Sequence, residues 1–499
     1  MTVRLMKRAL LTIIIMVVVL SCSRHRETEF FTGSVDFPVQ PNLGVKEAMA
    51  ARVVPTRRQL EWQKLEMTAF IHFTINTFTD MEWGTGKESP ELFNPSSLDA
   101  EQWVRVLSDA GMKMVIITAK HHDGFCLWPT KTTSHSVASS PWKEGQGDVI
   151  RELKDACDRY NMKFGIYLSP WDRNAACYGD SPAYNRFYME QLTELLTWYG
   201  KVDEVWFDGA NGEGPDGRRQ EYDWQAYYDL IRKLQPDAVT AIMGEDVRWV
   251  GTESGYGRET EWSATVLAPG GTPESVAINE ALGIDAMSAD LGSSTLLQDA
   301  GSVYWYPAEV DVSIRPGWFW HAPEDTLVKD VDKLVDIYLS SVGRNAVLLL
   351  NVPPDNRGLI TDHDIKSLQG LKAWIDNLYS TDMLNGARPY GQGTSNLIDG
   401  DSSTSWSPRR KRVASFVPAI AATFNIVLLQ EDISRGQRVE KFVIEALSGE
   451  RWDTIATGTT IGYKRMIRFP EVKADEIRLT IVSSRATPHI STFALYHAR

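Results

Sequence analysis

Short apolar runs alternate with longer amphipathic stretches between about residue 46 and residue 385. The runs have the length of β-strands, and the stretches between them repeat with the period of a helix. Strands are predicted over residues 68–76, 113–120, 163–169, 204–208, 238–243 and 346–351, and helices over residues 100–109, 149–160 and 184–199, among others. This βαβα order is typical of a parallel sheet covered by helices.

The connections after several of these strands are long and rich in Trp, His and Asp. A (β/α)₈ barrel builds its active site from such loops, at the C-terminal ends of its strands. An open, doubly wound sheet shows the same alternation, but no glycine-rich phosphate loop follows an early strand, and polar residues end nearly every strand. We therefore predict an α/β fold with a (β/α)₈-like catalytic barrel over residues 46–385.

The pattern changes after about residue 385. Short alternating runs at residues 423–429, 441–446 and 476–482 are separated by turn residues, which predicts an antiparallel β-sandwich over residues 386–499. The stretch LIDGDSSTSW (397–406) and the strands after it resemble the galactose-binding-like or discoidin-like sandwiches that are often appended to carbohydrate enzymes. Whether this domain binds glycans or only packs on the barrel is left open.

The N-terminus predicts export. Residues 1–21 begin with three cations, continue with an apolar run to Leu20, and end at Ser21 before Cys22. This layout predicts a lipoprotein signal peptide with lipidation of Cys22, and the alternative is cleavage by an ordinary signal peptidase. Residues 22–45 lack periodicity and are predicted to be a tether. We expect an exported, lipid-anchored protein, in the periplasm or at the outer membrane of a Gram-negative bacterium, whose only membrane contact is the lipid.

The composition excludes one class of partner. The chain has 499 residues and a net charge of −13, from 52 basic and 65 acidic residues, which argues against nucleic acid because that affinity comes mostly from clustered Lys and Arg. The cysteines after Cys22 are Cys126, Cys157 and Cys177, and their odd number and spacing favour packed thiols over disulfides or a zinc site. Trp, Tyr and Phe each occur 17 times. The many Trp residues serve either sugar stacking or core packing.

The strongest local signal for chemistry is VWFDG. Asp208 ends an apolar strand there, and Gly209 lets the backbone turn. Such a position suits a nucleophile, which must be ionised, rigidly held and shielded from bulk water. The alternative is an aspartate that only begins a turn.

A second signal is AKHHDGFCLW, in which His121, His122 and Asp123 follow a predicted strand, with His72 on the first strand. These histidines are placed to hydrogen-bond the hydroxyls of a polar ligand. The alternative is a metal site of the amidohydrolase kind, but the chain has neither an HxH pair nor HExxH on a helix. We predict no metal and no cofactor.

Seven fragments occur in an order and spacing that resemble the α-L-fucosidases of glycoside hydrolase family 29. They are IHFTINTF, MEWGTG, AKHHDGFCLW, IYLSPWD, VWFDG, WVGTESG and NAVLLLNVPPDNRG, and the resemblance covers about residues 45–385. The DVRWVGTESG stretch resembles the subgroup that prefers α-1,3- and α-1,4-linked fucose. Two positions depart from the family pattern, since Thr74 stands where Gly is frequent and Glu245 where Pro is expected.

The resemblance implies roles for individual residues. Asp208 matches the nucleophile and Glu253 the general acid/base. The matches to substrate-binding positions are His72, Glu82, Trp83, His121, His122, Tyr167 and Trp320. Rivals for the acid are Glu245, Glu259 and Glu261, and Trp171 and Trp318 are further candidates for an apolar wall beside the fucose methyl group.

The resemblance also implies a reaction. It is hydrolysis of terminal α-1,3/1,4-linked L-fucose by a retaining, exo-acting enzyme, through a covalent fucosyl-enzyme intermediate and without a cofactor. The partner is then a fucosylated oligosaccharide or glycoconjugate. Two carboxyls about 5 to 5.5 Å apart perform such chemistry. Two alternatives stay open: a non-catalytic sugar-binding protein on a glycosidase fold, and a metal-dependent hydrolase built on the three histidines.

Overall fold

The chain folds around a ring of eight parallel strands. The structure is a computed structural model, and it describes residues 29–214 and 216–498. The strands are β1 (Met67–Ile71), β2 (Met114–Lys120), β3 (Lys163–Leu168), β4 (Glu204–Phe207), β5 (Val239–Ile242), β6 (Arg248–Trp249), β7 (Ala308–Ser313) and β8 (Ala346–Asn351). They pair in the order β5-β4-β3-β2-β1-β8-β7-β6. A bridge between Ala241 and Val247 joins the two ends of the sheet, so the predicted barrel is confirmed and the open sheet is excluded.

All six predicted barrel strands are present, with ends that differ by a few residues. The largest difference is in β1, which stops at Ile71 because the chain leaves the sheet and enters the short helix Asn76–Thr79. His72 therefore follows the strand and does not lie on it. The hydrophobic pattern does not predict β6 and β7, since β6 has two residues and β7 carries Glu309 and Asp311 among its valines.

Helices cover the outside of the ring. The α-helices are Leu43–Ala50, Arg57–Gln63, Asn76–Thr79, Ala100–Asp109, Val149–Tyr160, Ser181–Trp198, Trp224–Leu234, Pro273–Leu282, Ser294–Asp299, Val331–Ser341 and Asp362–Tyr379. Short 3₁₀ segments lie at Pro90–Leu92, Val137–Ser139, Trp142–Gly145, Ala322–Leu327, Thr394–Leu397 and Ile433–Arg435. Ser181–Trp198 begins three residues before the prediction, because the Asp180 side chain caps it and Pro182 is tolerated in its first turn. No helix separates β5 from β6.

The strand residues alternate between the barrel interior and the side that faces the helices. Phe70, Ile116, Tyr167, Trp206 and Leu349 belong to the buried interior cluster. Their neighbours Ala69, Ile117, Ile166, Val205 and Leu350 belong to the cluster between strands and helices. On β4 the interior residues are therefore Glu204 and Trp206, and the next position of that face is Asp208.

The predicted tether over residues 22–45 is wrong for its described part. Phe31–Thr32 pairs with Val53–Val54, Ser34–Asp36 pairs with Ser302–Trp305, and the helix Leu43–Ala50 follows. Strands of two or three residues are too short to show alternation, and they form because neighbouring backbones offer pairing partners. The predicted signal peptide and Cys22 lie outside the described residues. Within residues 29–214 and 216–498, every helix is too short or too polar to cross a membrane.

The C-terminal part is an antiparallel sandwich, as predicted. Its strands are β9 (Arg388–Tyr390), β10 (Val413–Val417), β11 (Ala422–Glu431), β12 (Val439–Ser448), β13 (Arg451–Gly458), β14 (Arg465–Ala474), β15 (Glu476–Ser484) and β16 (Ile490–Tyr496). One sheet has the order β9-β10-β15-β12-β13 and the other β14-β11-β16. Side chains from both sheets, including Phe424, Phe442, Leu479 and Phe493, form one buried core.

The sandwich packs against a barrel segment that lies a few residues after Glu253. The backbone N–H of Glu261 donates to Thr460 Oγ1 over 3.0 Å, and that of Ser263 donates to Gln437 Oε1 over 2.7 Å. We call the following residues the sandwich interface: barrel residues 258–263, Arg248 and Arg344, with Gln437, Thr460 and Arg465 of the sandwich. The sandwich therefore holds one end of the connection between β6 and β7.

Candidate active site

Asp208 lies directly after β4, at the C-terminal end of the barrel. Its Oδ1 accepts from the backbone N–H of Ala210 over 2.6 Å, and its Oδ2 accepts from Tyr167 Oη over 3.0 Å. His122 Nε2 lies 4.0 Å from the same Oδ2. Burial and the negative charge of Asp208 raise the pKa of the Tyr167 phenol, which therefore stays a donor. The carboxylate is thus held by donors but is not covered, because 24% of its side chain is exposed.

Glu253 lies on the loop after β6. Gly251 and Gly255 flank it with φ values of +99° and +85°, and a Cβ at Gly251 would stand 2.7 Å from the carbonyl oxygen of Ala286. The loop therefore needs a glycine at residue 251. Glu253 Oε2 accepts from Trp318 Nε1 over 3.2 Å.

The environment of Glu253 favours its protonated form. Glu253 is exposed on its loop, but partial burial of its carboxyl raises the pKa, and the negative charges of Asp208 and Glu82 add to that effect, whereas the hydrogen bond from Trp318 opposes it. Asp208 and Glu253 border one cavity of about 570 Å³. The arrangement can therefore present an ionised and a protonated carboxyl to the same bound molecule.

Two histidines of the site have a defined tautomer. Asn351 donates through Nδ2 to Trp318 O and Ser313 Oγ, so its Oδ1 must accept from His72 Nδ1, 2.9 Å away. By the same argument Ser169 Oγ donates to Trp171 O and accepts from His122 Nδ1, at 2.7 Å.

Both rings are neutral, because burial lowers the pKa of His72 to about 3 and also lowers that of His122. In each ring Nδ1 carries the proton, and Nε2 keeps a lone pair that can accept a hydroxyl hydrogen bond. His121 is also buried, and burial holds its pKa well below the ordinary value.

Aromatic rings surround these histidines. His121 stacks on Tyr167 with centroids 5.6 Å apart, and Trp318 lies 5.0 Å from His72. Trp171 lies 5.0 Å from His122, and Trp83 lies 6.0 Å from Trp171 at the rim, with 58% of its surface exposed. The structure thus brings the predicted residues His72, Trp83, His121, His122 and Tyr167 together around Asp208.

Glu82 reaches this group through the segment that carries Trp318. Its carboxylate accepts from the backbone N–H of Trp318 over 2.9 Å and from that of Phe319 over 3.2 Å, and it also pairs with His321 Nε2 at 2.7 Å. Although burial opposes the shift, the hydrogen bonds from His321 to Asp80 and Glu82 raise the pKa of His321. Glu82 therefore fixes the wall of the site.

The assignment of Trp320 to the aromatic wall stays a prediction. Its indole N–H donates to Asp325 Oδ1 over 3.1 Å, and the neighbouring Trp318 packs on His72. Residues 316–319 form bends and have no regular period, so the sequence spacing of the two tryptophans does not indicate which of them faces the site.

The rival acids have other partners. Glu261 is buried in ion pairs with Arg248 and Arg258, and Glu259 pairs with Arg465 over 2.7 Å. Glu245 borders a different cavity, on the far side of the helix Pro273–Leu282. Of the four candidates for the acid, Glu253 is the one that shares a cavity with Asp208.

Five carboxyls lie in or above the barrel interior, and we call Asp208, Glu253, Asp311, Glu204 and Glu309 the axis carboxyls. Apart from Asp208, which Tyr167 holds, each accepts from an indole N–H: Glu204 from Trp62, Glu309 from Trp206, Asp311 from Trp249 and Glu253 from Trp318. Within the described part of the chain, no Lys or Arg forms an ion pair with any of the five. Their donors are therefore neutral.

Hydrogen bonds to carboxyls account for part of the abundance of tryptophan. Indole donors also serve Glu194, Asp290 and Asp325, so seven of the 17 tryptophans donate to a carboxyl. An indole is a donor without a charge or an acceptor, so it satisfies a buried carboxyl without forcing it to ionise.

Glu204 and Glu309 form a pair below the site. Both are fully buried, and each leaves its Oε1 without a further partner. Burial raises the pKa of Glu204 to about 8, and burial together with the negative charge of Glu204 raises that of Glu309 well above the ordinary value. The pair therefore shares at least one proton at neutral pH.

Metal chemistry has no evident location in the described residues. No group of three or more His, Cys, Asp or Glu side chains within residues 29–214 and 216–498 has the arrangement of a metal site. Cys126 and Cys157 are buried free thiols, and Cys177 is half-buried and free.

Sequence reasoning missed three residues that complete the site. Asn351 ends β8 and holds His72, and Ser169 directly follows β3 and holds His122. Asp311 borders the cavity. A usable signal was present in the alternation of Glu309 and Asp311 with valine, because polar residues at every second position of a barrel strand face its interior.

Known proteins are similar to this chain in sequence and in fold. The alpha-L-fucosidase family model matches residues 50–378. Alpha-L-fucosidase 1 of Arabidopsis thaliana is 41% identical over 461 residues, with 89% of this chain and 87% of the relative covered. A Bacteroides ovatus protein assigned as an alpha-L-fucosidase is 56% identical, with a TM-score of 0.89 over 94% of this chain and 78% of that one. A Ruminococcus gnavus GH29 fucosidase in complex with fucose is 32% identical, with a TM-score of 0.79 over 90% of this chain and 95% of that one. The chain therefore belongs to the α-L-fucosidases of glycoside hydrolase family 29 and is a glycoside hydrolase.

Proposed function

We propose that the chain is a retaining, exo-acting α-L-fucosidase that releases terminal α-1,3- or α-1,4-linked L-fucose from glycans. Asp208 is the nucleophile, and Glu253 is the general acid and base. The observation that carries the proposal is the cavity that both carboxyls border, with Asp208 held by two neutral donors and the pKa of Glu253 raised by burial. A retaining glycosidase needs one ionised and one protonated carboxyl.

In the first step an oxygen of ionised Asp208 attacks C1 of the fucose. The bond from C1 to the glycosidic oxygen breaks, and that oxygen keeps the electron pair and takes the proton of Glu253. The products are an ester between Asp208 and fucose, and the free glycan. Esterification removes the negative charge of Asp208, so the pKa of Glu253 falls and the group becomes a base.

In the second step Glu253 takes a proton from water, and the water oxygen attacks C1. The ester bond breaks, and its electron pair returns to Asp208 as a carboxylate. Tyr167 donates to that carboxylate, which stabilises it both before attack and after release. Fucose leaves with its original anomeric configuration.

Fucose lies among the neutral histidines in this proposal. The Nε2 atoms of His72 and His122 accept from sugar hydroxyls, and the apolar faces of the surrounding rings contact the methyl group, which has no hydroxyl to satisfy. The proposed binding residues are His72, Glu82, Trp83, His121, His122 and Tyr167, with Trp318 and Trp320 in the aromatic wall.

Space beyond the two carboxyls supports the linkage preference. The cavity extends past Asp208 and Glu253 towards Met243, Leu267 and Val276. A branched glycan, in which fucose and a second sugar are carried by one ring, needs such room beside the fucose. Together with the DVRWVGTESG stretch, this favours Lewis-type α-1,3/1,4 branches.

The proposal includes a location and a role for the second domain. The sequence of residues 1–22 supports export and lipid anchoring at Cys22, in the periplasm or at the outer membrane of a Gram-negative bacterium. The C-terminal sandwich is proposed to be of the galactose-binding-like, discoidin-like type. Globomycin-sensitive processing, with a Cys22→Ser variant that is no longer lipidated, would test the anchor.

Hydrolysis of two substrates tests the function. Wild-type protein and the variants Asp208→Asn and Glu253→Gln are compared on a Lewis-type α-1,3/1,4 trisaccharide and on an aryl α-L-fucoside. Asp208→Asn should lose about 10⁴-fold or more on both, because the nucleophile is gone. Glu253→Gln should lose about 10²- to 10⁴-fold on the trisaccharide and far less in aryl release, because a good leaving group needs little protonation.

The outcomes distinguish the function, the nucleophile and the linkage. Glu259→Gln is the matched control, since it removes a carboxyl on the same loop that is paired with arginines, and it should retain activity. Lack of fucose release from both substrates would contradict the proposed function. Full activity of Asp208→Asn would show that another group is the nucleophile, and preference for the aryl fucoside alone would overturn the linkage assignment.

A further inference from the structure

Asp311 is a third carboxyl of the catalytic cavity, and neither the sequence motifs nor the mechanism above uses it. It lies on β7, where Glu309, Asp311 and Ser313 occupy alternate positions and Asp311 is paired with Leu349 of β8. It is only 3% exposed, and it borders the same cavity as Asp208 and Glu253.

One oxygen of Asp311 is bound and the other is free. Oδ1 accepts from Trp249 Nε1 over 2.8 Å. Oδ2 has no hydrogen-bond partner among the described side chains, yet it is not enclosed like the partnerless oxygens of Glu204 and Glu309. The free oxygen therefore faces the cavity, where a change in its charge acts on whatever is bound there.

Trp249 connects Asp311 to the acid. It is the last residue of β6 and lies four residues before Glu253. It also borders the cavity. Glu253 is thus held from two sides, since the indole of Trp318 donates to its carboxyl and the start of its loop is fixed by the indole that Asp311 binds.

We propose that Asp311 is a positioning residue for the reaction: it holds the Trp249 indole, and with it the start of the Glu253 loop. The inference rests on the function proposed above for Asp208 and Glu253.

The charged groups around Asp311 give the direction of its titration. Burial raises the pKa of Asp311 to about 7, and the charges of Glu253 and Asp208 add to this, against the hydrogen bond from Trp249. Glu309 lies two residues away on the same strand. Arg248 borders the same cavity, and its Nη2 pairs with Glu261 of the sandwich interface. A negative charge on Glu253 therefore favours the protonated form of Asp311, which still accepts from the Trp249 indole.

The test compares Asp311→Asn with Asp311→Leu. Asparagine keeps an oxygen that accepts from Trp249 and cannot ionise, whereas leucine removes the acceptor. Asp311→Leu should lose about 10²-fold in kcat/KM on the trisaccharide, and Asp311→Asn should stay within about threefold of wild type, because its amide oxygen still accepts from the Trp249 indole. The loss in Asp311→Leu should be smaller on the aryl fucoside, because a displaced Glu253 matters less for a good leaving group.

The matched control is Asp290→Asn. Asp290 accepts from Trp262 Nε1 over 2.8 Å, the same bond at a site away from the cavity, and Asp290→Asn should leave kcat/KM unchanged on both fucosides. If Asp311→Leu does not fold, Trp249→Phe breaks the same bond from the other side and should show the same loss.

Three results would overturn the inference. The first is activity of Asp311→Leu within threefold of wild type, and the second is a loss by Asp311→Leu that is as large on the aryl fucoside as on the trisaccharide. Loss of activity in Asp311→Asn as complete as in Asp208→Asn would also overturn it, because the residue would then act as an ionised catalytic group. Failure of the proposed function is seen separately, as a wild-type protein that cleaves neither fucoside.

Discussion

Glu253 and Glu261 are eight residues apart on one connection, and their carboxyls lie in opposite surroundings. Glu253 belongs to the axis carboxyls and accepts from the neutral indole of Trp318. Glu261 belongs to the sandwich interface, is 1% exposed, and pairs with Arg248 and Arg258. A cation fixes a carboxyl as an anion, whereas an indole leaves both protonation states accessible.

The same contrast holds beyond this pair. On the axis, burial raises the pKa values of Glu204 and Asp311. At the interface, burial alone would raise the pKa of the Glu259 carboxyl, but the hydrogen bond and charge of Arg465, with the charge of Arg344, outweigh it and lower the pKa. The comparison teaches that one loop can carry a carboxyl for proton transfer and others for fixed geometry, because their donors differ in charge.

The largest effect is expected from removing the most buried negative charge of the sandwich interface, that of Glu261. Glu261→Gln leaves the guanidinium groups of Arg248 and Arg258 without their anion. Breaking a buried ion pair from one side costs about 3 to 5 kcal/mol. The free energy of unfolding, measured by urea denaturation, should therefore fall by about that amount.

Glu253→Gln is the matched control for that experiment. It makes the same chemical change eight residues earlier, where no cation is left unpaired, and it should lower the free energy of unfolding by less than about 1 kcal/mol at pH 6. Equal destabilisation by the two variants would contradict the division between axis and interface.

The next effect is the response of the Glu204–Glu309 pair to pH. Because the folded-state pKa of both groups is raised above the ordinary value of about 4.3, their contribution to stability is complete below that value and is lost as the pH rises towards about 8. The free energy of unfolding should therefore be lower at pH 8 than at pH 5.

Glu309→Gln isolates that response. Its amide oxygen still accepts from Trp206, and its N–H can donate to Glu204, so the cost at pH 5 should be about 1 kcal/mol or less. The decline between pH 5 and pH 8 should become shallower, because one of the two titrating groups is gone. Urea unfolding at both pH values measures this, and a decline as steep as in wild type would show that the pair is not its source.

The contrast also explains how far the sequence predicts the fold. Buried parallel strands are continuous apolar runs, and β2, β3 and β8 were therefore predictable to within about one residue. β7 was not, because its interior face carries Glu309 and Asp311. A polar interior face looks like a solvent-exposed one until the barrel is known to close.

The site was predictable where one residue type at a strand end carries the chemistry. Asp208, His121 and His122 follow strands and meet as expected. Trp318 and Trp320 could not be told apart, because direction in an irregular segment depends on tertiary contacts such as the two backbone bonds to Glu82. The sequence also did not show which side chains donate to each carboxyl, since the arginines that hold Glu259 lie about 85 and 206 residues further along the chain.

The smallest expected effect is at the exposed edge of the interface. Glu259 pairs with Arg465 and Arg344, but 67% of its side chain is exposed, so solvent screens both pairs. Glu259→Gln should cost about 0.5 kcal/mol, and most of that cost should disappear in 0.5 M NaCl because salt screens exposed charges. Glu261→Gln should keep its large effect in the same salt, because water and ions do not reach its pair. If salt removed the destabilisation of both variants, burial would not protect the Glu261 ion pairs from screening. The sandwich interface would then behave as an ordinary solvent-exposed charged surface.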